Sequence, residues 1–247
     1  MCEECGCAAP PNPSGRGHDH EHGHEHRQHD HADNEHTSRH NREHFIEHGV
    51  LAVSLIGAPG SGKTELVRAT AQAAGSLRLG VIKGDLASSC DAQRLGTAGV
   101  RSTAVITGAA WHLDAEHVHN ALHDFPLGNL DYLFVEHVGD LISAALHDLG
   151  QAVNVVVLSV TEGEAAPLKY PVTFRKADLV VLSKIDLLPY LPEVRVEAIE
   201  EIVARLMPRP ALIPVSARTG QGIDRWIDWL AEACPSGAPR TSNRRGV

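Results

Sequence analysis

Apolar positions organise this chain from residue 51 onward, where LAVSLI at 51–56 forms the first short, β-prone run. Before it, residues 1–48 are dominated by His, Asp, Glu, Gly and Asn, a composition with too little to bury to offset the entropy of ordering. Further β-prone runs follow at 79–82, 102–107, 130–135, 153–160, 179–182 and 212–215, most of them separated by helix-length segments. Ile199, Ile202, Val203 and Leu206 recur at i, i+3, i+4 and i+7, as do Ile223, Trp226, Ile227 and Leu230, so each segment predicts a helix with one apolar face. Alternating strands and helices predict an α/β fold with a mainly parallel sheet covered on both faces. The predicted division is a disordered tail over 1–48, one domain over 49–234, and a frayed Pro, Gly, Ser and Arg-rich end over 235–247.

Composition narrows the function classes. The 247 residues suffice for one sizeable core. A formal net charge of -9 without a basic stripe argues against nucleic acid as a partner. There is no apolar run of about 18 residues, which argues against a membrane partner. Cysteines also stand where a signal peptide would have its charged and apolar regions, so a cytoplasmic location is expected. Five cysteines is an odd number, and Cys2, Cys5 and Cys7 are crowded at one end. In a reducing compartment such thiols are more often metal ligands than disulfides. No motif attaches to Cys90 or Cys234.

GAPGSGKT at 57–64 fits the phosphate-loop pattern G-x-x-x-x-G-K-[ST], placed between a predicted strand and a predicted helix. Gly57, Gly60, Ser61 and Gly62 let backbone N–H groups converge on phosphate oxygens, and the helix N-terminus adds partial positive charge. Lys63 would reach the β and γ phosphates, and Thr64 offers a hydroxyl to Mg²⁺. SKIDLLP at 183–189 follows an apolar run. Asp186 there can accept the N1 and N2 protons of guanine, which favours GTP over ATP, while Lys184 lays its stem along the base. VSAR at 215–218 places the N–H groups of Ser216 and Ala217 where guanine O6 would lie. Ser183 stands where the commonest guanine motif has Asn, which puts a tethering hydrogen bond in question. Asp85 and Glu136 end strands, where ligand-facing residues of open parallel sheets collect. Either could hold Mg²⁺ through water or orient the attacking water. The N–H of Gly139, in EHVG, would sense the γ phosphate.

The combination of MCEECGC, a His-rich tail, GVLAVSLIGAPGSGKTELV, TGAAWHLDAEHV, TEGEAAPLKYP, SKIDLLPY and VSARTGQGIDRWIDWL resembles the HypB family of hydrogenase nickel incorporation GTPases, from Cys2 to about Leu230. The resemblance implies a P-loop NTPase of the G3E/SIMIBI type that hydrolyses GTP slowly with Mg²⁺ and forms a homodimer when GTP-bound. It further implies a second nickel maturation protein and the [NiFe] hydrogenase large subunit as partners. In many members a Cys-x-x-Cys-x-Cys start binds nickel, and Cys2, Cys5 and Cys7 match it. A second site, at the dimer interface, uses a Cys-His pair and a later Cys. Here the pair reads Trp111-His112 and the later position is Ser143, so only His112 is retained. Indole offers no lone pair, and a serine hydroxyl is a poor ligand for a borderline ion. His137 and His147 are the substitutes to consider. His119 and His123, spaced i, i+4, read as surface residues. The urease accessory GTPase shares the core but is marked by a Cys-Pro-His motif absent here.

Three close thiolates suit Ni²⁺ and also accept Zn²⁺ or Cu(I). The interrupted His-x-His run offers capacity rather than one geometry. Two functions therefore compete: a GTPase metallochaperone whose hydrolysis gates nickel transfer, and a nickel or zinc buffer whose G domain only governs dimerisation or partner docking.

Overall fold

The computed structural model describes residues 25–84, 89–105, 113–123, 125–137 and 141–234. The chain runs α1 (Glu25–Glu47), β1 (Leu51–Ile56), α2 (Lys63–Ala73), β2 (Leu79–Gly84), α3 (Ser89–Thr97), β3 (Arg101–Val105), α4 (Ala115–Leu122), β4 (Tyr132–Glu136) and α5 (Leu141–Leu146). It continues through β5 (Val153–Ser159), α6 (Ala166–Lys169), α7 (Pro171–Lys176), β6 (Leu179–Ser183), α8 (Val196–Leu206), β7 (Leu212–Val215) and α9 (Ile223–Ala233). The strands form one sheet in the order β3-β2-β4-β1-β5-β6-β7, with every pairing parallel. The predicted sheet is therefore present, with strand ends shifted by one or two residues.

Alternation along the strands sorts the core into layers. Leu51, Val53 and Leu55 of β1 face α2, α3 and α9, together with Leu66, Leu95, Trp226 and Leu230. On the opposite face Ile56, Val156, Leu158, Val180 and Leu182 pack under α5 to α8. The two predicted amphipathic segments behave as their spacing requires, with Ile199, Val203, Ile223, Trp226 and Leu230 buried. Trp226 is fully buried because its indole N–H also has a partner, the Thr70 hydroxyl at 2.9 Å.

The expected tail boundary at residue 48 is corrected. Residues from Glu25 form a helix, and its C-terminal half belongs to the domain. Ser38, Asn41 and Phe45, at i, i+3 and i+7, are buried against the sheet face that also receives Val118, Ala121 and Leu133. The Asn41 amide donates to the carbonyls of Ala115 at 2.9 Å and Leu149 at 3.1 Å. Arg42 makes a two-toothed pair with Asp148 at 2.9 and 2.7 Å. Gly150 permits this docking, because a Cβ there would lie 2.6 Å from the Ser38 carbonyl and 2.8 Å from Asn41 Cβ. Most of the buried face is thus polar, with Asn41 satisfied from distant segments and Ser38 by the Glu35 carbonyl of its own helix, so no apolar stripe announces it. The helix ends at Gly49 with Val50 N–H bonded to Phe45 O at 2.9 Å, a Schellman turn that feeds directly into β1.

Among the described residues no helix is long and apolar enough to cross a membrane. The expected frayed segment at 235–247 lies outside the described residues.

Candidate functional site

Because β1 is central, the turn leaving it opens between the C-terminal ends of β4 and β5, where ligands bind in open parallel sheets. Residues 57–62 occupy that turn and α2 begins at Lys63. Gly57 passes so close to β5 that a Cβ would collide with the Val157 carbonyl and lie 2.7 Å from Ser61 Oγ. Gly60 and Gly62 have positive φ, and the Leu66 N–H reaches back to Gly62 O at 2.8 Å, starting the helix directly over the loop.

Lys63 folds over this loop, its ammonium donating to the carbonyls of Gly57 at 2.7 Å and Ala58 at 3.2 Å. Burial lowers its pKa, while the Glu136 charge opposes that shift. The Thr64 hydroxyl donates to Glu136 Oε2 at 2.9 Å. Two cis oxygens on an octahedral Mg²⁺, with bonds of about 2.0–2.1 Å, lie about 2.9 Å apart, so this pair fits the ion. Glu136 is only 1 % exposed and, among the described residues, its Oε1 has no hydrogen-bond partner. Burial raises its pKa, opposed by Lys83, Thr64 and Lys63. A buried acceptor without a donor, at the phosphate end of the sheet, is what an incoming cation or water would satisfy.

Lys83 is a member of this site that the sequence reading missed. Its ammonium pairs with Asp91 of α3 and lies 3.9 Å from Glu136 Oε2. The available signal was a lone cation near the end of an otherwise apolar strand.

The base-selecting segments converge at the ends of β6 and β7. Ser183 Oγ donates to the Ser61 carbonyl at 2.6 Å, so the tether to the phosphate loop is present with serine in place of asparagine. The following Lys184 has φ 60°, making it the non-glycine residue with positive φ among those described. Such backbone costs about 1–3 kcal/mol and gathers at functional sites. Asp186 accepts from Ser216 Oγ at 2.7 Å. The expected base contact from the Ser216 N–H is corrected, because that N–H donates to Gln221 O at 2.9 Å and closes the loop. Ser216 instead orients Asp186, and Ala217 follows at the half-buried lip.

His112 lies outside the described residues, while His137, one of the two substitute ligands considered, packs against β1. Its ring is buried and its Nε2 lies 3.0 Å from Ser54 Oγ of β1. His147 donates through Nδ1 to the Ser143 carbonyl at 2.8 Å, along α5. Asp85, Trp111, His112, Gly139 and the three cysteines Cys2, Cys5 and Cys7 lie outside the described residues.

The family described as CobW/HypB/UreG, nucleotide-binding domain, matches residues 51–214. The chain is 38% identical to hydrogenase maturation factor HypB of Cupriavidus necator, over 83% of this chain and 68% of that protein. It is 44% identical to the factor of that name from Rhizobium leguminosarum bv. viciae, over 81% of this chain and 67% of that protein. The crystal structure of HypB from Helicobacter pylori in complex with nickel superposes with a TM-score of 0.78 at 30% identity, covering 85% of this chain and 98% of that one.

Proposed function

This chain belongs to the HypB group of the CobW/HypB/UreG nucleotide-binding family, and on that premise we propose that it is a GTP-hydrolysing nickel metallochaperone for [NiFe] hydrogenase maturation. The observation that carries the nucleotide half is the meeting of Lys63, Thr64, Glu136, Ser183 and Asp186 at one edge of the sheet. The nickel half is supported by relatives that are hydrogenase maturation factors, one of them crystallised with nickel. It is also supported by the Cys2, Cys5 and Cys7 spacing.

Asp186, held by Ser216, accepts the two guanine N–H protons, and the Ala217 N–H donates to O6. Lys184 lies along the base. The loop N–H groups and the N-terminus of α2 hold the phosphates, and Lys63 leaves its loop carbonyls for the β and γ oxygens. Bound Mg²⁺ would neutralise charge on the β and γ phosphates, with Thr64 and Glu136 as its protein-side partners and Asp85 as a further candidate. Water attacks the γ phosphorus as its bond to the bridging oxygen breaks, leaving GDP and phosphate. The Gly139 N–H senses whether the γ phosphate is present. Nickel is cargo, held by the thiolates and handed to a second maturation protein on the way to the hydrogenase large subunit. The GTP-bound form is a homodimer in the cytoplasm, and the exposed Ile142 and Leu146 of α5 suit a subunit contact.

Asp186→Ala is expected to weaken GTP by about 10- to 100-fold, the loss of hydrogen bonds to a charged group. It should leave the affinity for ITP, which lacks the N2 amino group, much closer to the parent value. Fluorescence titration with both nucleotides checks this, and an unchanged GTP to ITP ratio would overturn the base assignment. The metal half is tested by nickel titration of the full chain and of Cys2→Ser/Cys5→Ser/Cys7→Ser, each with GDP and with a nonhydrolysable GTP analogue. The triple variant is expected to lose the tightest nickel while hydrolysing GTP normally. Nickel affinity in the parent that is independent of nucleotide, with no release to an apo acceptor on hydrolysis, would favour the buffering protein instead.

A further inference from the structure

Docking of α1 brings together histidines that are far apart in the chain. His40 and His44, one turn apart on α1, have ring centroids 4.5 Å apart and their Nε2 atoms at 3.1 Å. His119 of α4 lies 5.2 Å from His40 and 6.4 Å from His44 by ring centroids, with His123 4.9 Å beyond it. Imidazoles bound to one tetrahedral ion through bonds of about 2.0–2.1 Å have centroids about 5 Å apart. Their ligating nitrogens then lie roughly 3.3 Å apart, close to the separation already present between His40 and His44.

The orientation of His119 is set from behind. Its Nδ1 lies 3.1 Å from Asn41 Oδ1, while the Asn41 amide nitrogen is committed to the carbonyls of Ala115 and Leu149. The Asn41 oxygen must therefore accept, Nδ1 must carry the proton, and the lone pair falls on Nε2. A buried amide or carbonyl fixing the tautomer of a ligand histidine is the usual support behind a metal site.

We propose that His40, His44 and His119 form a binding site for a borderline divalent transition-metal ion, Zn²⁺ or Ni²⁺, clamped between α1 and α4. An all-imidazole donor set suits ions of this class and not Mg²⁺ or Ca²⁺. The site shares no residue with the cysteine motif or the nucleotide end, and it does not depend on the function proposed above. Among the described residues the three ligand atoms already within 4.8 Å of one another are those of His44, Glu47 and His48, a group carried by one helix end and mostly exposed, so His119 has to turn inward to join His40 and His44. The two-helix site is favoured because it is half-buried and Asn41 already orients the His119 ring. An ion there ties down the helix that leads into β1, so the metal state of the His-rich segment is communicated to the domain through the docking of α1.

The test is hydrogen exchange of α1 amides in the full-length protein, with Zn²⁺ and with Ni²⁺ in separate arms. At metal concentrations near 100 times Kd, exchange across residues 38–47 is expected to slow about 100-fold, because an ion bound only to the docked state suppresses opening by that factor. His44→Gln and His119→Gln should each remove the slowing, while His36→Gln, an exposed histidine of the same helix, and His48→Gln should keep it. His44 makes no bond to Asn41, so its variant reads the site even if His119→Gln loosens α1. Unchanged exchange in both metal arms, or parental slowing in both His44→Gln and His119→Gln, would overturn the site. Loss in His48→Gln with retention in His119→Gln would move the ion to the helix end and overturn it equally.

Discussion

Lys63→Ala is expected to reduce single-turnover GTP hydrolysis by about 100- to 1,000-fold, the usual cost of removing one preorganised donor from developing negative charge. The ammonium already spans the loop it would leave, bonded to the Gly57 and Ala58 carbonyls. Reaching the γ phosphate exchanges two neutral acceptors for anionic ones, so its contribution grows as charge moves onto the β–γ bridge. Those carbonyls border the open phosphate loop, and water can replace the lysine there. The variant should therefore unfold within a few degrees of the parent and keep its metal content. Turnover within tenfold of the parent, in protein of unchanged thermal midpoint, would remove the phosphate-loop assignment.

Glu136→Gln is the second large effect, and it should act in opposite directions on activity and stability. Hydrolysis is expected to fall about 100-fold or more, because an amide is a poor partner for Mg²⁺ and cannot act as a base toward water. Stability should move the other way. Burial raises the Glu136 pKa above its ordinary value of 4.5. Its contribution is then fully present below about pH 4.5 and lost as pH rises through the folded-state value. Above the folded-state value the nucleotide-free protein carries an incompletely compensated buried charge beside Lys83 and Thr64. The glutamine variant is therefore expected to be more stable than the parent at pH 7, with the advantage shrinking toward pH 4.5. Thermal midpoints across that range check the sign, and a variant less stable at pH 7 than at pH 5, relative to the parent, would contradict the buried charge. The pattern is that of a site holding strain for its ligand.

The nucleotide end was legible in the sequence because its contacts are local. GAPGSGKT supplies loop, lysine and hydroxyl within eight residues, and the strand before it, LAVSLI, is apolar at every position but Ser54. The guanine-selecting pair was also legible as two short motifs, but the division of labour inside it was not. Ser216 was expected to offer its N–H, and the loop geometry spends that group on Gln221 while the hydroxyl holds Asp186. Ser183 was expected to weaken a tether that it in fact makes, since the shorter side chain still reaches the Ser61 carbonyl at 2.6 Å. Lys83 was hidden by the apolar strand around it.

The sequence alone determined the sheet, its covering helices and the phosphate-binding turn. Each of these leaves a period or a motif: alternation along strands, 3.6-residue spacing along helices, and glycines where backbone must approach a ligand. Only the tertiary structure decided that α1 is part of the domain and that His40 and His44 meet His119. Asn41 bonds to groups 74 and 108 residues away, and His119 to a partner 78 residues away. A face held by one buried amide and a close glycine contact has no hydrophobic period to detect. Its amide becomes favourable to bury only when the carbonyls of Ala115, at the start of α4, and Leu149, ahead of β5, arrive to satisfy it.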